Sequence, residues 1–179
     1  YAISLAQGTR NANDGISIAQ IGQGALQEVY NILNDVKAKA IQASNTSDDK
    51  SRGQIQQDIN NLVDAIAKIF KDTEFNGMKL FSSGEVKTFT IHYGGRTDQN
   101  LTMTTATAGA GTTTAVSSGV YSYAALVTMG KDVYTIDVTT QASANASVQT
   151  VDNLIKAVDD LAAKFGSYQI ELEKIISNN

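Results

Sequence analysis

The sequence predicts a mainly α protein with a small β part. The expected architecture is an elongated bundle of three long helices in coiled-coil-like packing, plus β-hairpins and a short variable cap. Three observations carry this reading. Apolar residues recur in alternating three- and four-residue steps in three separate stretches, which keeps one stripe facing a partner helix along its length. The chain has no proline, the residue that removes a backbone donor and clashes inside a helix. Between the second and third stretches the apolar period changes to two, the spacing of a strand.

The first stretch carries Leu26, Val29, Leu33, Val36 and Ala40, and Gly22 and Ala19 continue its stripe backwards with small side chains. At 1.5 Å per residue, a helix over roughly 4–43 is about 60 Å long. The polar break ASNTSDDKSRG follows. A second stripe then runs through Ile55, Ile59, Leu62, Ile66, Ile69 and Thr73, predicting a helix over roughly 49–71, about 35 Å long. Asp48 and Asp49 read as acids favoured by the positive end of this helix. The third stripe, Val151, Leu154, Val158, Leu161, Phe165, Tyr168, Leu172 and Ile175, predicts a helix over roughly 141–177, about 55 Å long. These lengths exceed what a globular core needs, and assembly is the usual reason for a rod.

In the middle, Phe89, Ile91 and Tyr93 alternate with Thr88, Thr90 and His92. Gly84 and Gly94-Gly95 punctuate the strand as turns, and Leu101 and Met103 suggest its partner. Thr105–Gly119 is a low-complexity run of Gly, Ala, Ser and Thr and reads as a surface excursion. Two further strands are expected around a hairpin turn at Met129–Asp132.

The chain has no Cys, which excludes disulfides and thiolate metal sites, and its one histidine, His92, sits on the polar face of a strand. Any His-based zinc site or His-dependent triad would rest on this one residue. The AGAG of 108–111 lacks the Lys-Ser/Thr of a phosphate loop. Net charge is −4 with scattered Lys and Arg, which argues against nucleic acid. No apolar run approaches the roughly 18 residues of a membrane span. The expectation is therefore no enzyme, no catalytic residue, no cofactor, no metal, no nucleic acid and no membrane. Asp159 and Asp160 are expected to face solvent. Both ends read as cut from a longer protein.

The run Arg-Asn-Ala-Asn-Asp-Gly-Ile-Ser (Arg10–Ser17), followed by IQQDINNLVDAI and by Phe75-Asn76-Gly77, resembles bacterial flagellin. The final stretch, ASVQTVDNLIKAVDDLAAKFGSYQIELEKII, resembles the last helix of that family's inner core domain, D1. This resemblance covers residues 1–104 and 133–179 and implies a D1-like helical core with a β-hairpin. Residues 105–132 would be a short variable cap. The family's terminal D0 segments would be missing, so that the fragment alone would stay monomeric.

The resemblance further implies a structural subunit of the secreted, extracellular flagellar filament, serving motility by self-assembly. Its partners would be other flagellin subunits, and the flagellar export and chaperone machinery through the termini. A hook–filament junction protein and a flagellin-like adhesin or glycan receptor are the alternatives. For the adhesin, Tyr121, Tyr123 and Tyr134 could stack on sugars. The absence of Cys and Pro suits a chain exported unfolded. Thr102–Ser118 is an expected site of O-glycosylation. A candidate receptor and inter-subunit surface comprises Leu33, Asp35, Lys37, Lys39, Gln42 and Asp58. Family members strongly recognised by the vertebrate innate receptor TLR5 carry Arg where this chain has Asp35, so the resemblance implies weak TLR5 recognition.

Overall fold

The computed structural model describes residues 2–80, 87–92, 100–106 and 136–178. Three helices dominate: α1 (Ala2–Ser44), α2 (Asp49–Asp72) and α3 (Gln141–Asn178). Among the described residues, four strands lie between α2 and α3: β1 (Glu74–Phe75), β2 (Met78–Lys79), β3 (Lys87–His92) and β4 (Asn100–Ala106). The sequence-predicted helix bounds agree within two residues at each end. With 43 residues, α1 is roughly 65 Å long.

α1 is the central element. It packs against both α2 and α3, and β3 also lies on it. The α3 pairing is antiparallel: Lys37 faces Asp152, and Gly22 faces the ring of Phe165. On the other side α2 returns along the C-terminal half of α1, with Lys39 facing Asp58 and the last turn of α2 beside Ile21 and Gly24.

The expected stripe of α1 is the core. Leu26, Val29, Leu33, Val36 and Ala40 are fully buried. Gly8, Ala12, Gly15, Ala19 and Gly22 are buried too, extending the same alternating spacing to the start of the helix. On α3, Val151, Leu154, Val158, Leu161, Phe165 and Leu172 are buried, while Tyr168 and Ile175 are half-buried. The stripe of α2 needs correction. Ile55, Ile59 and Ile66 are buried as expected, but Val63 and Phe70 complete the core, and Leu62 and Ile69 lie half-buried at its edge. A straight helix drifts about 20° per heptad from a strict 3.5-residue stripe. α2 follows this drift because it also covers the segment leading into α3, where Ile136 and Val138 are buried.

Each end of α2 is capped by a side chain. Asp48 is the N-cap and accepts from Lys50 N–H (3.2 Å) and from the Ser51 hydroxyl (2.8 Å). Thr73 closes the other end, its N–H and hydroxyl both donating to the Ile69 carbonyl (3.1 and 2.6 Å). Hydroxyls of Ser44 and Thr46 likewise take carbonyls left over at the end of α1.

β1 and β2 form a hairpin whose two-residue turn is Asn76-Gly77, at φ +50° and +80°. Both residues are left-handed, which a type I′ turn requires and which Asn-Gly tolerates best. The Leu80 N–H returns to the Thr73 carbonyl at 3.2 Å and closes the loop. β3 and β4 pair antiparallel, with Phe89 opposite Met103, Ile91 opposite Leu101 and His92 opposite Asn100. The expected strand and its partner are thus present, with a bulge between Lys87 and Thr88. The turns at Gly84 and Gly94-Gly95, Tyr93, Tyr121, Tyr123, Tyr134 and the hairpin at Met129–Asp132 lie outside the described residues. So does the cap at 105–132, apart from its first two residues, which end β4.

Candidate assembly surface and helix junction

The six residues expected to share one surface divide three ways. Leu33 is corrected: it is 0% exposed, part of the core rather than of any surface. It sits on the same face of α1 as Val29 and Val36, so its side chain is spent between the helices. Asp35 and Gln42 are exposed. They line up with Lys39 at helical spacing, and the Lys39 ammonium crosses to Asp58 on α2 at 3.2 Å. Asp35, Lys39, Gln42 and Asp58 therefore form one polar strip over the α1–α2 seam. Lys37 points the other way and pairs with Asp152 on α3 at 2.7 Å. Both ion pairs have side chains 36–54% exposed, so each is a weak tie.

The strip runs on, two turns at a time, from Gln42 through Asp35 and Glu28 to Ile21. There it meets an open groove of about 680 Å³ between α1, the end of α2 and β1. Ile21, Ala25 and Ile69 make its apolar floor, and Glu28, Lys68, Asp72 and Glu74 make a charged rim with more acid than base.

At the opposite end of the seam the chain builds a junction that sequence reasoning missed. Arg52 is only 6% exposed although it lies in the polar break. Its guanidinium donates to the Thr139 carbonyl at 3.1 Å, and also to the Thr46 carbonyl and the Asp49 carboxylate. One turn on, the Gln56 amide pairs with backbone as a strand would. Its Oε1 accepts from Val138 N–H (2.7 Å) and its Nε2 donates to the Ile136 carbonyl (2.9 Å). The segment so held turns into α3 through Thr140, whose Oγ1 accepts from Ser143 N–H at 3.0 Å while Ser143 Oγ accepts from Thr140 N–H at 3.1 Å. This is a reciprocal cap of the capping-box kind. The Ser147 hydroxyl donates to the Asp137 carbonyl at 2.8 Å.

Two carboxylates are tuned here. Hydrogen bonds from Ser51, then from the Lys50 N–H, hold Asp48 below the usual carboxylate pKa. Thr139, through its hydroxyl and its N–H, does the same to Asp137. Asp159 and Asp160 are exposed as expected. Among the described residues no group of three or more His, Cys, Asp or Glu could hold a metal ion, and no helix is long and apolar enough to cross a membrane.

The family described as the bacterial flagellin N-terminal helical region matches residues 2–85. The flagellar filament 30.7 kDa core protein of Treponema maltophilum is 31% identical over 178 residues, 94% of this chain and 58% of that protein. A flagellin of Aquifex aeolicus is 43% identical over 100 residues, 55% of this chain and 19% of that protein. The chain thus spans less than two thirds of the length of these curated relatives. The crystal structure of Bacillus cereus flagellin shares the fold, with a TM-score of 0.73 at 22% identity over 96% of this chain and 89% of that one. With its signature runs inside the matched region and its fold shared with that structure, the chain is similar to bacterial flagellins along most of its length.

Proposed function

We propose that the chain is the rod-forming part of a structural subunit of the bacterial flagellar filament, exported from the cell and serving motility by self-assembly. One observation carries the reading. The rod pairs a 43-residue helix from the start of the chain with a 38-residue helix from its end, and 94% of the chain aligns with a protein named for the flagellar filament core. The role is mechanical rather than enzymatic. Helices in lengthwise, coiled-coil-like packing give a stiff stave, and residues 1–104 and 133–179 form that core. Residues 105–132 would correspond to the family's variable cap, and Thr102–Ser118 is the stretch in which O-glycosylation is expected.

The polar strip of Asp35, Lys39, Gln42 and Asp58 is offered to neighbouring subunits. It is an adaptable contact of charges and amides without a large apolar patch. TLR5 binds this strip weakly, because Asp35 puts a short negative side chain where an arginine would anchor an interface. Electron microscopy of the purified full-length protein under polymerising conditions tests the reading. Helical filaments are the expected result. Persistent monomers, for a protein folded by circular dichroism, would overturn it.

A further inference from the structure

The seam between α1 and α3 leaves one quantity undetermined by its own chemistry, the axial register of the two helices. We propose that Arg52 and Gln56 fix that register, and that without them α3 occupies a second position one heptad towards the N-terminus of α1.

The argument starts from repetition. α1 presents buried glycines at 8, 15 and 22, with buried alanines at 12 and 19 between them. Phe165 occupies the last of these gaps: a Cβ on Gly22 would lie 3.0–3.2 Å from its ring carbons. The large residues of α3 repeat at the same interval, with Val158, Phe165 and Leu172 in one row and Leu154 and Leu161 in another. Sliding α3 by seven residues, about 10 Å, brings Phe165 over Gly15 and Leu172 over Gly8. Knobs still meet gaps. The opposite slide brings Phe165 onto Val29, where there is no gap, so the degeneracy runs one way only.

Helix overlap is preserved as well. The facing pairs Lys37–Asp152 and Gln23–Gly166 extrapolate to place Asn178 beside Asn11, while α1 begins at Ala2. A shifted α3 would still lie on helix.

The bond that could choose between the registers at mid-seam, Lys37–Asp152, is partly exposed and weak. The junction is different. Gln56 holds both Ile136 and Val138 by backbone atoms, and buried Arg52 holds Thr139 together with Thr46 of the α1–α2 turn. The held segment is tied to α3 by the Thr140–Ser143 cap and the Ser147 hydroxyl. α3 cannot slide by 10 Å while these bonds stand. Slipping would also strand buried donors of a charged group, which is far costlier than losing a surface pair.

The natural chain has no cysteine, so two can be introduced cleanly. Asn31→Cys and Lys174→Cys are at exposed positions. With Gly22 facing Phe165, they are separated along the rod by roughly 27 Å. Nitroxide labels on both, read by double electron–electron resonance, are expected to give one distance in the otherwise unaltered chain. In Arg52→Ala/Gln56→Leu a second population about 10 Å longer is expected. A single native distance in the double variant, with helicity retained by circular dichroism, would overturn the proposal. Two distances in the chain with an intact junction would overturn it too. If the double variant does not fold, Gln56→Leu alone decides. The longer distance in a minor fraction supports the proposal, and its absence refutes it.

Discussion

In its C-terminal half α1 lies between two helices and fills both sides with Leu26, Val29, Leu33 and Val36. In its N-terminal half it runs beyond the end of α2, and the same spacing carries Gly8, Ala12, Gly15 and Ala19. Bulk there comes from the facing helix, through Phe165 and Leu172. Among the described residues, Ile18 is the one large α1 side chain buried in that half. The difference shows how one periodicity serves two kinds of packing. A helix with partners on both sides must supply volume to each. A helix facing one main partner can recede and let that partner's rings reach its backbone, and close-packed interiors reward the fit. Gly22, under Phe165, is where the change occurs.

Four experiments would break or sharpen this contrast. The largest effect is expected from Phe165→Ala, which empties the volume that the N-terminal half borrows. Urea denaturation is expected to show a loss of about 3–5 kcal/mol, against roughly 2–5 kcal/mol for Leu33→Ala in the other half. A loss below about 1 kcal/mol for Phe165→Ala would mean that the glycine-lined seam simply collapses around the hole.

Next comes a pair with opposite signs. Gly22→Ala pushes a methyl into the Phe165 ring and should cost about 1–3 kcal/mol. Gly24→Ala, with nothing within 4 Å, should stabilise by about 0.5–1 kcal/mol through helix propensity alone. Equal effects in thermal melts would erase the special place given to Gly22.

Smaller still are the seam charges. Lys37→Ala and Lys39→Ala should each cost less than about 1 kcal/mol, and the cost should shrink in high salt. A larger, salt-independent loss would mean that ion pairs rather than apolar packing hold the helices together.

The smallest effect is on acid stability at the junction end. Asp48 and Asp137 have folded pKa values held below the ordinary 3.8. The stability they contribute is therefore fully present above that value and is lost as pH falls through the lower folded ones. Asp48→Asn and Asp137→Asn should each lower the melting temperature slightly at pH 7 and flatten its fall below about pH 4, so that variant and natural chain converge in acid. An unchanged acid limb would show that the hydrogen bonds from Ser51 and Thr139 do not discriminate the charged form.

Much of this was legible in one dimension. Helix bounds follow from periodicity, from the absence of proline and from local signals such as Asp48, because a helix is made of contacts three and four residues apart. Asn76-Gly77 is an equally local turn signal, because Asn-Gly tolerates the left-handed backbone of a two-residue hairpin turn. The candidate surface was less legible. A resemblance carries positions across but not burial, so Leu33 was placed on a surface that its own apolar spacing argues against. Arg52 looked like a solvated residue of a polar break, and nothing in the sequence marks Gln56.

What the sequence determined by itself was that there are three long helices, roughly where each begins and ends, and which stripe of α1 and of α3 is apolar. Which volumes meet across the seam, how far α2 turns from its ideal stripe and what buries Arg52 were decided only by the tertiary structure. The physical reason is range. Gln56 finds its backbone partners 80 and 82 residues away, and Arg52 finds the Thr139 carbonyl 87 residues away. A repeating seam gives the chain no local means of choosing among registers, and only such distant, directional bonds distinguish one from the next.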